Sequence, residues 1–247
     1  MKNQDFIYGI HSVMEAVKAG KEFEKIFFDK TQNKSAIKEI FNLVRSKNIL
    51  YQFVPTAKLN RITGKNHQGV VAIVSQIEYQ NIENLIPMLY EEGKIPFFLV
   101  LDGITDVRNF GGMARTAECA GVDAIIIPQK GSVLVNADAV KTSAGALNRI
   151  PVCRVKNLLK TMELIKNSGI KIVAATEKTE NYYYSVDFNL PLAIVMGAED
   201  KGISKEILKI ADDYAKIPLL GKIDSLNVSA ACAILIYEAV KQRIGNK

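Results

Sequence analysis

The sequence predicts an α/β fold: a parallel sheet flanked by helices, preceded by a small α/β unit. Short, strongly apolar runs such as FFLVLDG, DAIIIP, KIVAAT and LAIVMG alternate with stretches of helical spacing, the pattern of strands covered on both faces. Three polar, glycine-containing segments follow buried strands, where open α/β sheets place ligand-binding loops. The first 76 residues repeat the helix and strand alternation on a smaller scale.

In chain order, IHSVMEAVKAG carries apolar residues at Ile10, Val13, Met14 and Val17, a helical spacing that closes on Gly20. KIFF is a short strand. SAIKEIFNLVRSKN repeats the helical pattern through Ile37, Ile40, Phe41 and Val44, and ILYQFV reads as a strand before Pro55. GVVAIVSQI supplies a further strand, so residues 1–76 form one unit. Residues 77–95 are more polar, contain Pro87 and Gly93, and read as a connector with room for a short helix. Residues 96–247 hold the four apolar runs, helical stretches such as NLLKTMELIKNSG, and a final long helix, VSAACAILIYEAVKQRIG. Small residues on that last helix allow close packing against a neighbour.

Composition narrows the chemistry. No apolar run approaches the roughly 20 residues that cross a bilayer, and MKNQDFIYGIHSV lacks the apolar stretch of a signal peptide, so a cytoplasmic location is expected. Cys119, Cys153 and Cys232 are widely spaced with no CxxC pair, and read as reduced structural thiols. His11 and His67 lie far apart, which argues against a histidine metal site or a catalytic triad; no metal is expected. Net charge is +6, and residues 1–80 hold 12 Lys+Arg against 7 Asp+Glu, while residues 81–247 hold 20 against 19. A positive surplus at the front favours a polyanion partner, although ordinary solubilising lysines produce the same count.

The first polar segment runs from Asp102 to Arg115 after FFLVL. Asn109 is its candidate helix N-cap, and a helix starting there brings Arg115 within two turns. Gly111 and Gly112 weaken such a helix by roughly 1 kcal/mol each, so something is expected to approach the backbone closely. The second, Gly197-Ala-Glu-Asp-Lys-Gly202, resembles a phosphate loop only superficially, because Ile-Ser follows where Lys-Ser/Thr is needed. Glu199 and Asp200 would repel a polyphosphate, and a neutral or cationic ligand suits the loop better. The third, Ile217 to Ser229, is dense in turn formers and hydroxyl or amide groups, with Ser225 or Asn227 placed to cap the last helix. None contains the GxGxxG of a dinucleotide site.

Together NFGGMARTAECAG, IVMGAEDKGIS and IPLLGKIDSLNVSAACAILIYE resemble, in order and separation, the three motifs of the SpoU family of RNA ribose methyltransferases. IYGIHSVMEAV, HQGVVAIVS and VKTSAGAL extend the resemblance over nearly the whole chain, towards the bacterial large-subunit rRNA guanosine 2′-O-methyltransferases. The resemblance implies a C-terminal SPOUT domain with a deep trefoil knot, an exception to the usual absence of knots. It also implies a small N-terminal domain like those of ribosomal proteins, which binds RNA. The expected cofactor is S-adenosylmethionine, held by backbone groups at Gly197, Ile217 and Leu226. The expected partners are 23S rRNA and a second copy of the chain, with the active site at the homodimer interface.

By the same resemblance, Asn109, Arg115, Glu199, Ser225, Asn227 and Ser229 are the catalytic residues. A guanidinium with a pKa above about 12 is a poor base. Arg115 is therefore expected to hold the adjacent phosphate and stabilise the developing 2′-alkoxide. Asn109 and Asn227 would orient the ribose or Arg115, and Glu199 would fix Arg115 or face the sulfonium. The first motif reads Arg108-Asn109-Phe110-Gly111-Gly112-Met113, where many relatives carry histidine before the asparagine and a smaller or aliphatic residue after the first glycine. The spacing from Asn109 to Arg115 is kept, and the departure bears on the target nucleotide. The alternatives at this stage are a tRNA 2′-O-methyltransferase, an antibiotic-resistance rRNA methyltransferase and a non-catalytic ribosome-assembly protein.

Overall fold

The computed structural model describes residues 6–32 and 35–245; the first five residues of the N-terminal stretch read above lie outside them. The chain divides into two compact units, one of residues 1–78 with 134–138, the other of residues 79–133 with 139–247.

The first unit is built on a four-stranded mixed sheet. Its strands are β1 (Phe6–Tyr8), β2 (Phe23–Asp29), β3 (Tyr51–Val54) and β4 (Val70–Val74), in the order β1-β4-β2-β3. β4 runs antiparallel to β1 and β2, and β2 pairs parallel with β3. Helices α1 (Ile10–Lys18) and α2 (Ser35–Ser46) bury Ile10, Val13, Val17, Ile37, Ile40 and Val44 against one face with Ile26 and Phe28. Helix α3 (Thr56–Ile62) places Leu59 on the other face with Phe27, Val71 and Ile73. Strand alternation sends Phe27 and Phe28 to opposite sides. β1, of three residues, and α3, of seven, escape a reading of periodicity because each holds fewer than two full repeats of its pattern.

The second unit is a six-stranded, wholly parallel sheet in the order β10-β8-β9-β5-β6-β7. Its strands are β5 (Phe97–Asp102), β6 (Ala124–Pro128), β7 (Val152–Val155), β8 (Lys171–Ala175), β9 (Leu192–Gly197) and β10 (Asp213–Ala215). β7 and β10 are too short and polar to stand out in sequence. Phe98, Val100, Ile126, Ile172 and Val195 share one buried layer with α4 (Ile82–Glu91), α7 (Leu158–Asn167) and α8 (Lys205–Ile210). Leu99, Leu101, Ile125 and Ile194 point the opposite way and are also buried. Helices α5 (Val107–Cys119) and α9 (Val228–Gly245) pack against each other, and α9 lies against β9. Between β6 and β7 lies the short helix α6 (Ala137–Thr142). Segment 77–95 forms α4, capped by Asn81, and delivers Ile82, Leu85, Ile86 and Leu89 to the core of this unit.

β5 lies between β6 and β9, so the chain leaves β5 in one direction and returns to its other side much later. This is the topological switch point, where the loops after two adjacent strands diverge and leave a crevice. Among the described residues no helix is long and apolar enough to cross a membrane.

Candidate active site

The switch point brings the first two polar segments together. β5 and β9 run in register to their carboxyl ends, where Asp102 lies opposite Gly197. The Asp102 carboxylate then accepts from the Ser204 N–H at 2.7 Å, tying the start of one loop to the end of the other. Within the second loop the Gly202 N–H donates to the Ala198 carbonyl at 2.8 Å. A Cβ at Gly197 would overlap the backbone of Gly202 and Ile203, so only glycine lets this loop fold back so tightly on its strand.

The helix of the first segment starts earlier than expected. Asp106, not Asn109, is the N-cap of α5, its Oδ1 accepting from the N–H groups of Arg108 at 2.9 Å and Asn109 at 2.8 Å. A cap of this kind is worth about 1 kcal/mol. Asn109 lies in the first turn, and its side chain is released from capping for use in the site. Burial of Phe110, Met113 and Ala117 holds the helix to the sheet, at about 1.5–3 kcal/mol for a large side chain.

The close approach foreshadowed by the glycine pair is made by the chain itself. A Cβ on Gly111 would strike Thr142 and the Ser143 amide, and one on Gly112 would lie 2.6 Å from Ser229 Oγ. Thr142 also donates its hydroxyl to the Val107 carbonyl at 3.2 Å. α5 therefore sits between α6 and α9 with no room for side chains at these two positions.

Asn227 is the N-cap of α9. Its Oδ1 accepts from the N–H groups of Ser229 at 3.0 Å and Ala230 at 3.3 Å. Those backbone donors fix which end of the amide is oxygen. Its Nδ2 therefore faces the other way, donating to Asn109 Oδ1 at 2.9 Å and to Glu199 Oε1 at 3.1 Å. Asn109 Nδ2 donates to the same Glu199 oxygen at 3.1 Å, and the Val228 N–H reaches it at 3.4 Å. Three N–H groups at the positive end of an eighteen-residue helix thus converge on one carboxylate oxygen.

Of the residues expected in the site, Asn109, Glu199, Asn227 and Ser229 are brought together. Arg115 is exposed, and among the described residues its guanidinium makes no hydrogen bond or ion pair. It lies six residues beyond Asn109, about 9 Å along the helix at roughly 1.5 Å per residue, and both are three residues from Gly112, the point nearest Ser229 Oγ. Glu199 engages the two asparagines rather than Arg115. Ser225 is exposed and likewise makes no polar contact among the described residues. Asp102 and Thr142, which hold the loops and helices in place, were not legible as site residues, because their partners are fixed only by the fold; Asp106 acts through the two amides that follow it, a local signal that Asn109 obscured.

The segment 217–226 leads into Asn227 and α9. Among the described residues its main-chain amides and carbonyls make no backbone hydrogen bonds. Leu219, Leu220, Ile223 and Leu226 are exposed, Leu220 to 98%. Free donors and acceptors beside uncovered apolar side chains suit a ligand with both heteroaromatic edges and apolar surface. Among the described residues no group of three or more His, Cys, Asp or Glu is arranged to hold a metal.

Residues 96–237 match the SpoU rRNA Methylase family, and residues 6–80 match the RNA 2′-O ribose methyltransferase substrate-binding domain. A protein of Staphylococcus saprophyticus assigned to the TrmH family of tRNA/rRNA methyltransferases is 37% identical, the match covering 98% of each chain. A Bacillus subtilis protein assigned to the same family is 34% identical over 98% of this chain and 97% of its own. Among solved structures, the SpoU methyltransferase AviRb of Streptomyces viridochromogenes, in complex with AdoMet, superimposes with a TM-score of 0.62 at 22% identity. That superposition covers 97% of this chain and 90% of AviRb. Matching family domains over both units, and relatives more than one third identical along their full length, establish that the chain belongs to the SpoU/TrmH family of RNA methyltransferases.

Proposed function

We propose that the protein methylates the 2′-hydroxyl of a ribose in RNA, a guanosine of 23S rRNA, with S-adenosylmethionine as donor. The observation that carries this reading is the convergence of Asn109, Glu199 and Asn227 on the crevice at the ends of β5 and β9. The donor site is assigned to the backbone at Gly197, Ile217 and Leu226; in segment 217–226 main-chain groups without backbone hydrogen bonds among the described residues and exposed apolar side chains fit an adenosine. When bound, S-adenosylmethionine would supply an electrophilic methyl group, whose bond to the ribose oxygen forms as its bond to sulfur breaks and a neutral thioether leaves.

The chain's own residues prepare that oxygen. Arg115, which makes no hydrogen bond or ion pair among the described residues, is available to clamp the phosphate beside the target ribose and to stabilise the developing alkoxide. The proton passes to a phosphate oxygen or solvent, since a guanidinium cannot accept it. Asn109 and Asn227 orient the ribose, held by Glu199, whose second oxygen makes no hydrogen bond or ion pair among the described residues and would be left for the sulfonium of a bound donor. Ser225 and Ser229 contribute hydroxyls at the mouth of the site. The C-terminal segment is threaded as a trefoil knot that keeps the donor loop rigid, and a second copy of the chain completes the site. Residues 1–76 recruit the RNA, consistent with their positive surplus, and the reaction runs in the cytoplasm without a metal.

The test is methyl transfer from labelled S-adenosylmethionine to large-subunit rRNA and to bulk tRNA, with mapping of the modified ribose, over a dilution series. Label on one rRNA guanosine 2′-oxygen is expected, with activity falling as a dimer dissociates. Label on tRNA would replace the substrate assignment, full activity of a monomer would overturn the shared site, and no label on any RNA would favour an assembly role.

A further inference from the structure

One face of the first unit carries three lysine ammonium groups that form no ion pair among the described residues. Lys25 Nζ lies 5.9 Å from the centre of the Phe27 ring, and Lys58 Nζ lies 5.2 Å from the same centre. Lys65 Nζ lies 5.7 Å from the centre of the Tyr8 ring. Phe27 and Tyr8 belong to the same apolar layer, so the three ammonium groups stand on one face of the sheet, from β1 across to β2. They come from β2, from α3 and from the loop after α3, and Arg61 on α3 is exposed beside them. None of the three ammonium groups forms an ion pair among the described residues.

Two cations near one ring are each attracted to it while they repel each other. Burial and then the Lys58 ammonium hold Lys25 below the ordinary lysine range, and the Glu24 carboxylate offsets this only in part. Glu24 is itself buried and accepts from the Val135 N–H at 3.1 Å. Lysine stems alone could cover an apolar face, but covering a ring does not require two ammonium heads within about 6 Å of its centre. An anion between them removes the repulsion.

We infer that Lys25, Lys58 and Lys65 form the phosphate-binding face of the N-terminal unit, docking the RNA backbone across the strands rather than through bases. This rests on the reading of the protein as an RNA methyltransferase and adds which surface holds the RNA. Phosphate contacts fix register without reading sequence, which leaves selection of the nucleotide to the catalytic unit.

The experiment measures binding of large-subunit rRNA at several salt concentrations for the full chain and for the Lys25→Gln/Lys58→Gln/Lys65→Gln variant. Glutamine keeps most of each stem while removing the charge. Loss of three phosphate contacts lowers the slope of log affinity against log salt by about 2 to 3. At physiological salt, binding should weaken by at least about tenfold, and KM for RNA should rise while kcat at saturating RNA stays the same. A control variant, Lys21→Gln/Lys38→Gln/Arg45→Gln, removes equal charge away from this face and should leave both affinity and slope nearly unchanged.

An equal loss in the control, or an unchanged slope in the first variant while methyl transfer to RNA persists, overturns the docking face and leaves the activity standing. Failure of the unaltered protein to bind or methylate RNA overturns both. Should the triple variant not fold, Lys58→Glu on the exposed helix position carries the same test.

Discussion

Asn227 donates through Nδ2 to Asn109 Oδ1 at 2.9 Å, and both amides give a second hydrogen bond, each 3.1 Å long, to Glu199 Oε1. Residues separated by 118 positions are thereby locked into one hydrogen-bonded triangle. Residues that share such a network do not contribute additively. Asn109→Ala and Asn227→Ala are each expected to lower kcat/KM by about 10- to 100-fold, or roughly 1.4–2.8 kcal/mol. The double variant should lose little more than the worse single one. A double-mutant cycle measures this, and fully multiplicative losses would mean that the two amides act separately.

Arg115 makes no polar contact with the protein among the described residues, so its removal leaves no buried group stranded. Arg115→Ala should unfold at the same temperature as the parent and bind S-adenosylmethionine with unchanged affinity by calorimetry. Loss of one preorganised charge at a developing alkoxide predicts a fall in kcat of about 100- to 1,000-fold. Arg115→Lys should recover only a small part, because an ammonium cannot make the planar two-pronged contact with phosphate.

The glycines separate into two kinds by what they face. Gly197→Ala drives a methyl into the backbone of Gly202 and Ile203, which cannot retreat without opening the loop. A loss of about 1–3 kcal/mol in chemical denaturation is expected, together with weakened donor binding. Gly112→Ala meets only the Ser229 hydroxyl, 2.6 Å away, so Ser229→Ala should restore most of the lost stability. No such rescue would place the conflict in the backbone of α9 instead.

In the first unit, burial works against the charge of Asp29. Hydrogen bonds from the Thr31 N–H at 2.9 Å, the Thr56 hydroxyl at 2.7 Å and the Thr31 hydroxyl at 2.8 Å outweigh it and hold the pKa below the ordinary carboxylate value. A depressed acid stabilises the fold above its unfolded pKa of about 3.9, and that contribution disappears as pH falls through the lower folded value. Unfolding monitored from pH 6 down to pH 2 should show this loss below about pH 4. Asp29→Asn should flatten that part of the profile.

Burial raises the Cys153 thiol to about 12 and the Cys232 thiol higher still, while Cys119 is exposed on α5. The thiolate is the species that reacts. Alkylation of the native protein should therefore label Cys119 fast, and Cys153 and Cys232 only on unfolding, as peptide mass mapping would show.

Much of this architecture was present in the sequence. Apolar periodicity located α1, α2 and α9 and the strands FFLVL, AIIIP, KIVAA and LAIVMG, because burying one face or both imposes a local pattern that any stretch of chain displays. The ordered motifs placed Asn109, Arg115, Glu199 and Asn227 in one family of sites. Tertiary structure decided what local pattern cannot contain. It put β9 beside β5, moved the cap of α5 from Asn109 to Asp106, and turned Glu199 towards two asparagines instead of Arg115. It also revealed that the glycine pair makes room for Thr142 and Ser229. The Asp106 cap is local and turns on where α5 begins, but the other outcomes depend on residues far apart in the chain meeting in space, and such meetings are settled by strand order and close packing, which no window of sequence encodes.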